Sequence, residues 1–113
     1  MTDLGGNLYD KANKAYQVIF KELNDKSAWV HQKQCLDSLG SIPTSIAEGT
    51  GRKLKSVKYY QHSLLIARGA AYETLAWLDC RREFGQETTN LLFGRTVLEH
   101  LILDITEELM EIS

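Results

Sequence analysis

The chain is poor in residues that interrupt helices and in residues that crosslink folds. Proline occurs once, at Pro43, so almost every stretch is free to run as helix. Cysteine occurs twice, at Cys35 and Cys80, too few for a disulfide-stapled domain; reduced, buried thiols in a cytosolic protein are the expected state. No apolar run approaches the roughly 18 residues that cross a bilayer. The opening Met1-Thr2-Asp3-Leu4-Gly5-Gly6 lacks the basic and apolar regions of a signal peptide. These absences predict a cytoplasmic chain with no membrane partner. Asn-Gly and Asp-Gly hairpin pairs are also missing, as is any useful period-two alternation, so no strands are expected.

What is present is helical periodicity. A length of 113 residues suits one domain, spanning 1–113, and 43% hydrophobic with 25% charged residues excludes a disordered chain. Leu8, Ala12, Ala15, Tyr16, Ile19, Phe20 and Leu23 recur at three- and four-residue steps, one apolar stripe. Asn24-Asp25-Lys26-Ser27 reads as a turn, with Ser27 a candidate N-cap for a second helix over 28–47. Trp29, Val30, Leu36, Leu39, Ile42 and Ile46 form its stripe; Pro43 predicts a kink or a break, and Gly49 and Gly51 predict its end. Ser56 is the expected N-cap of a third helix carrying Tyr60, Leu64, Ala67, Ala71, Leu75 and Leu78, with Gly85 as its C-cap. A fourth starts near Thr88 or Thr89 and carries Leu91, Leu98, Leu101, Ile102, Ile105, Leu109 and Ile112. Four helices with short connections predict an all-α, antiparallel up-down-up-down four-helix bundle. Gly69-Ala70-Ala71 offers almost no bulk, either for close helix approach or as a flat patch where another subunit docks.

Catalytic and metal-binding patterns are missing. No Glu-x-x-His pair of the kind that builds di-iron sites in bundles occurs, since Ala28, Tyr59 and Val97 precede His31, His62 and His100 by three. His31 and Cys35 are four apart, but no second pair completes a zinc site. His100 and Asp104 predict a surface hydrogen bond rather than a catalytic dyad. Gly49-Thr50-Gly51-Arg52-Lys53 follows a helix, not a strand, and fits no phosphate-loop spacing. Cys80 stands beside Arg81 and Arg82, either a core thiol or one made reactive by them. No cofactor, metal or small-molecule substrate is expected, and no enzyme.

Net charge is −2, yet the charges are sorted. Residues 49–72 hold Arg52, Lys53, Lys55, Lys58 and Arg68 and no acid; residues 99–113 hold Glu99, Asp104, Glu107, Glu108 and Glu111 and no Lys or Arg. Two solvated faces of opposite sign are one reading. The other is a phosphate-binding segment, since basic residues interleaved with aromatics meet phosphates and stack bases. Tyr60 fits the core stripe, which leaves Tyr59 for stacking. Glu48 and Arg52 are spaced for an ion pair, and a structural role is expected for Glu48.

Ser41-Ile42-Pro43-Thr44-Ser45-Ile46-Ala47-Glu48-Gly49-Thr50-Gly51-Arg52 resembles the S-I-P-x-N-I-A-E-G-x-G-R signature of the 23S rRNA intervening-sequence (four-helix bundle) proteins. Ile66-Ala67-Arg68-Gly69-Ala70-Ala71-Tyr72-Glu73 is similar to the I-A-x-G-S-x-x-E block that follows it. Ser45 stands in place of Asn, Ala70 in place of Ser, and Tyr59 where an acid often completes a capping box. The resemblance implies a cytoplasmic bacterial bundle without enzymatic activity. It also implies assembly with itself as a closed pentamer and relatives among the accessory proteins of diversity-generating retroelements. Its partners would be RNA or DNA, or a nucleic-acid enzyme; a protein-interaction scaffold without nucleic acid is the alternative.

Overall fold

The computed structural model describes residues 7–24, 29–83 and 87–113. Four helices follow in order: α1 (Asn7–Leu23), α2 (Gln32–Arg52), α3 (Val57–Arg82) and α4 (Thr89–Glu111). No strand occurs among the described residues. Each helix packs on its sequence neighbours, and α4 returns to α1, so the four close a ring. Every adjacent pair runs antiparallel. Thr88 and Asn90 at the start of α4 bond to Glu22 at the end of α1, while Lys11 near the start of α1 meets Asp104 late in α4. Ser38 early in α2 lies 3.0 Å from Thr74 late in α3, and Tyr60 early in α3 bonds to Glu108 late in α4. The predicted up-down-up-down bundle is therefore the fold, with extents of 44 × 23 × 21 Å.

The stripes meet in one core. Ile19, Leu23, Leu39, Ile42, Ile46, Leu64, Leu98, Leu101 and Ile105 are fully buried, with Cys35 among them. Burial pushes the Cys35 thiol up to about 12, so it stays protonated in the core. Cys80 departs from the expected core thiol: it lies on the solvent side of α3. Two hydroxyls inside are satisfied by their own helices, Ser38 donating to the Cys35 carbonyl and Thr74 to that of Ala70. At the α3–α4 end a buried guanidinium, Arg95, is held by Asp79 at 2.8 Å and Glu87 at 3.5 Å, and Glu87 also binds Arg82. Asp104 turns to Lys11 rather than to His100, which stays exposed.

Helix ends follow capping chemistry where a hydroxyl is available. Ser56, the expected cap, and Thr88, at the expected start of the fourth helix, both take extended backbone and accept the amides of Tyr59 and Leu91. The expected caps Ser27 and Gly85 lie outside the described residues. Helix α2 begins later than the sequence suggests, with His31 as an N-cap that makes no side-chain bond. His31 instead stacks on Trp77 at 4.9 Å, and Trp77 meets Trp29 edge-on.

The largest departure is the far end of α2. The helix passes Pro43 without a break and continues through Gly49 and Gly51 to Arg52. Gly49 is a contact, not a stop: a methyl group there would lie 2.5 Å from Ser63 Cβ. Gly94 does the same for α4 against α1, where a Cβ would sit 2.4 Å from Ile19 Cγ1. Close approach at these two points outweighs the ordinary helix cost of glycine, about 1 kcal/mol. Gly69 is different. Ala70 and Ala71 turn inward, while Gly69 faces outward and a Cβ there would meet nothing within 4 Å.

Ser63 Cβ is fixed to its backbone and cannot swing aside. Gly49→Ala is therefore expected to destabilise the fold by about 1–3 kcal/mol, whereas Gly51→Ala, with open space around it, is neutral or stabilising. Urea unfolding of both variants checks this; equal stabilities would contradict the packing argument.

Candidate nucleic-acid interface at the α2–α3 corner

The corner between α2 and α3 is closed by backbone bonds. The Arg52 carbonyl accepts from the amides of both Lys55 and Ser56, and the Thr50 carbonyl from that of Lys53. Ser56 then caps α3 through Tyr59. Residues 53–55 are thereby held in a tight turn at the end of the bundle, with Leu54 and Lys55 exposed.

Four of the five sequence-predicted cations gather here, and their surroundings differ. The Arg52 guanidinium lies over the Tyr59 ring at 4.7 Å and reaches Glu48 at 3.7 Å. Lys53 bends inward over the Tyr60 ring at 4.6 Å and meets Glu108 at 3.7 Å. Lys55 and Lys58 are exposed. Arg68 does not join them. It lies almost three turns further along α3, its Nε donating to Thr106 and its guanidinium over Tyr72. Glu48 and Arg52 are spaced as the sequence predicts, but both are more than half exposed, so the pair contributes only a few tenths of a kcal/mol.

Tyr60 is buried under this corner, and its hydroxyl donates to Glu108 at 3.0 Å. Burial first, then the bond and charge of Glu108, push its ionisation above the usual 10.0. Glu108 thus serves Tyr60 and Lys53 together. The acidic end of α4 consequently stands beside the basic corner, because antiparallel packing brings the C-terminus of α4 to the N-terminus of α3. Gln61 completes the junction by donating to the Ile112 carbonyl.

The motif residues divide between packing and surface. Ile42, Pro43, Ile46 and Gly49 are buried, and Ser41 and Ala47 half-buried. Glu48, Gly51 and Arg52 face solvent at the corner. In the second block Ile66, Gly69 and Glu73 all lie on the outer side of α3. With Leu65 and Tyr72 they make a surface stripe that the bundle itself leaves uncovered; Leu65 is 55% exposed. On α4, Leu103 and Met110 are likewise exposed.

One residue at the corner escaped the sequence analysis. Leu54 is 98% exposed at the tip of the turn, between Lys53 and Lys55. With Gly51, Arg52, Lys55, Ser56 and Tyr59 it lines a cleft of about 390 Å³. Its place between two lysines was the available signal. Among the described residues, no group of three or more His, Cys, Asp or Glu side chains is placed to hold a metal ion. No helix among the described residues is long and apolar enough to cross a membrane.

Fold and corner together define a small antiparallel bundle with a charged turn closed by backbone bonds between α2 and α3. The family model of the 23S rRNA-intervening sequence protein matches residues 7–91, and the chain belongs to that family. No curated protein and no solved structure matches the chain.

If burial dominates the Tyr60 ionisation and Glu108 adds to it, Glu108→Gln will lower the midpoint while leaving it above 10. Stability linked to this proton is complete below pH 10 and is lost as pH rises through the folded-state value. Ultraviolet titration of tyrosinate, with the other tyrosines replaced by Phe, reads the midpoint. An unchanged midpoint would refute the role given to Glu108.

Proposed function

We propose that the protein is a non-enzymatic cytoplasmic binding module that assembles with itself, as a closed pentamer, and holds nucleic acid at the α2–α3 corner, alone or with a nucleic-acid enzyme. Five copies is what the family resemblance implies. Self-assembly is supported by the outer stripe of α3, above all by Gly69. A glycine in mid-helix costs about 1 kcal/mol relative to alanine, and no neighbour within the chain repays it. Close approach by another copy would, and a ring places one face of each copy against a different face of the next.

Nucleic acid is supported by the charge around the start of α3. Unpaired amides at a helix N-terminus favour anions. Lys58 stands in the first turn with Lys55 just before it, and no acid lies in that turn. A phosphate answers this arrangement. Repeating the corner around a ring raises the effective concentration of weak contacts, which offsets the net charge of −2. A second reading rests on Glu108: by neutralising Lys53 it thins the positive field. That favours a protein scaffold without nucleic acid.

Light scattering at micromolar concentration is expected to give a mass near five times 12.8 kDa. Gly69→Trp should reduce that mass while leaving helix content unchanged, since the position is open within the chain. A stable wild-type monomer would overturn the assembly.

Binding to structured RNA and duplex DNA should weaken steeply with salt. Lys55→Glu/Lys58→Glu should lower the salt slope by about one unit per lysine engaged. Titration of labelled RNA and DNA against the assembled protein measures both. No binding even at low salt would favour the scaffold.

A further inference from the structure

We propose that the cleft under the α2–α3 corner holds an unpaired nucleobase, so that the protein binds single-stranded segments in preference to duplex; this rests on the nucleic-acid reading above. The cleft, about 390 Å³, is within the range of about 300–1,000 Å³ that small ligands occupy. Gly51 is part of its lining, and a Cβ there would meet nothing within 4 Å.

Its walls are of two kinds. The Arg52 guanidinium lies over the Tyr59 ring and reaches Glu48. A guanidinium fixed in this way offers a flat, charged platform, and bases stack on such planes and on tyrosine. Leu54 is the apolar part of the lining. Single exposed leucines are ordinary on protein surfaces. Leu54 differs because it sits between two lysines and borders a cleft. Backbone phosphates gain nothing from a leucine, whereas a base lying against Leu54 and the Arg52–Tyr59 pair covers it. Lys55 and Lys58 stand where they meet the phosphates on either side of that base.

The charge pattern selects this occupant. Residues 49–72 carry no acid, which suits a polyanion. The cleft asks for a flat apolar face as well, and an unpaired nucleotide supplies both. In a duplex the base faces are stacked on one another and withheld. The backbone bonds from Lys55 and Ser56 to the Arg52 carbonyl hold the turn in place, so little ordering is required on binding.

The test is fluorescence anisotropy with short labelled single-stranded RNA and DNA and their duplexes, on wild-type protein, Gly51→Leu and Lys55→Glu/Lys58→Glu. Gly51→Leu fills the cleft at an open position on the last turn of α2, and circular dichroism with light scattering confirms an intact assembly. Wild type should bind single strands at least fivefold more tightly than duplex. Gly51→Leu should abolish that preference and leave duplex affinity unchanged, whereas Lys55→Glu/Lys58→Glu should weaken both. RNA favoured over DNA, or parity between them, equally supports a base in the cleft. Equal wild-type affinity for single strand and duplex would overturn the inference and leave phosphate binding standing, as would a Gly51→Leu variant that keeps the preference. No binding of any strand would overturn the nucleic-acid reading and the inference together.

Discussion

At Gly49 the backbone of α2 lies so near α3 that any side chain would collide with Ser63. Much of the molecule follows from that approach. It carries α2 past the point where its glycines would otherwise end it, and so sets where the chain turns. It buries Tyr60 beneath the turn and lets the Tyr60 hydroxyl reach Glu108 on α4. A wider spacing between the two helices would shift Arg52 and Lys53 away from their tyrosines.

The charges at this end contradict the dipoles of the helices that carry them. Lys58 stands at the positive end of α3, and Glu107, Glu108 and Glu111 crowd the negative end of α4. Each placement costs its own helix about 0.3–1 kcal/mol. Antiparallel packing brings the two mismatched ends together, and the contacts of Lys53 and Gln61 with α4 draw on that proximity. Compensation is incomplete, because Lys55 and Lys58 lie outside it. The surplus positive charge is the part of the corner open to an outside anion.

Most of the architecture was legible in the sequence because apolar side chains repeating every three or four residues report burial directly. The stripes of the four helices are buried or half-buried as their spacing predicts, save Val30, which is exposed ahead of α2, and Ser56 caps α3 as expected. Legibility failed where one residue's meaning depends on a distant neighbour. Gly49 and Gly51 look alike as helix stops; one is a packing contact and the other an open surface, a difference made by Ser63 on another helix. Cys80 lies within an apolar pattern, but its angular position on α3 faces out. The basic segment and the acidic end were visible as separate blocks, and only the antiparallel turn makes them neighbours. Within the corner, Arg52, Lys53, Lys55 and Lys58 were foreseen as a group. Arg68 belongs elsewhere because α3 carries it almost three turns away, and Leu54 was passed over because a lone leucine has no periodicity.

The order of packing around the bundle also bears on how the chain reaches this state. Three of the four helix contacts join elements adjacent in sequence, and only α1 against α4 spans the chain. Local contacts of this kind are the mark of rapid folding, on the scale of microseconds to milliseconds. During synthesis α1, α2 and α3 can associate as they emerge, but the side of α1 that receives Gly94 has to wait for α4. Val18, Ile19 and their neighbours on that side remain wet until then. The closing step of folding is therefore the docking of α4 against the helix made first, and a nascent chain stalled before α4 presents an apolar seam to chaperones.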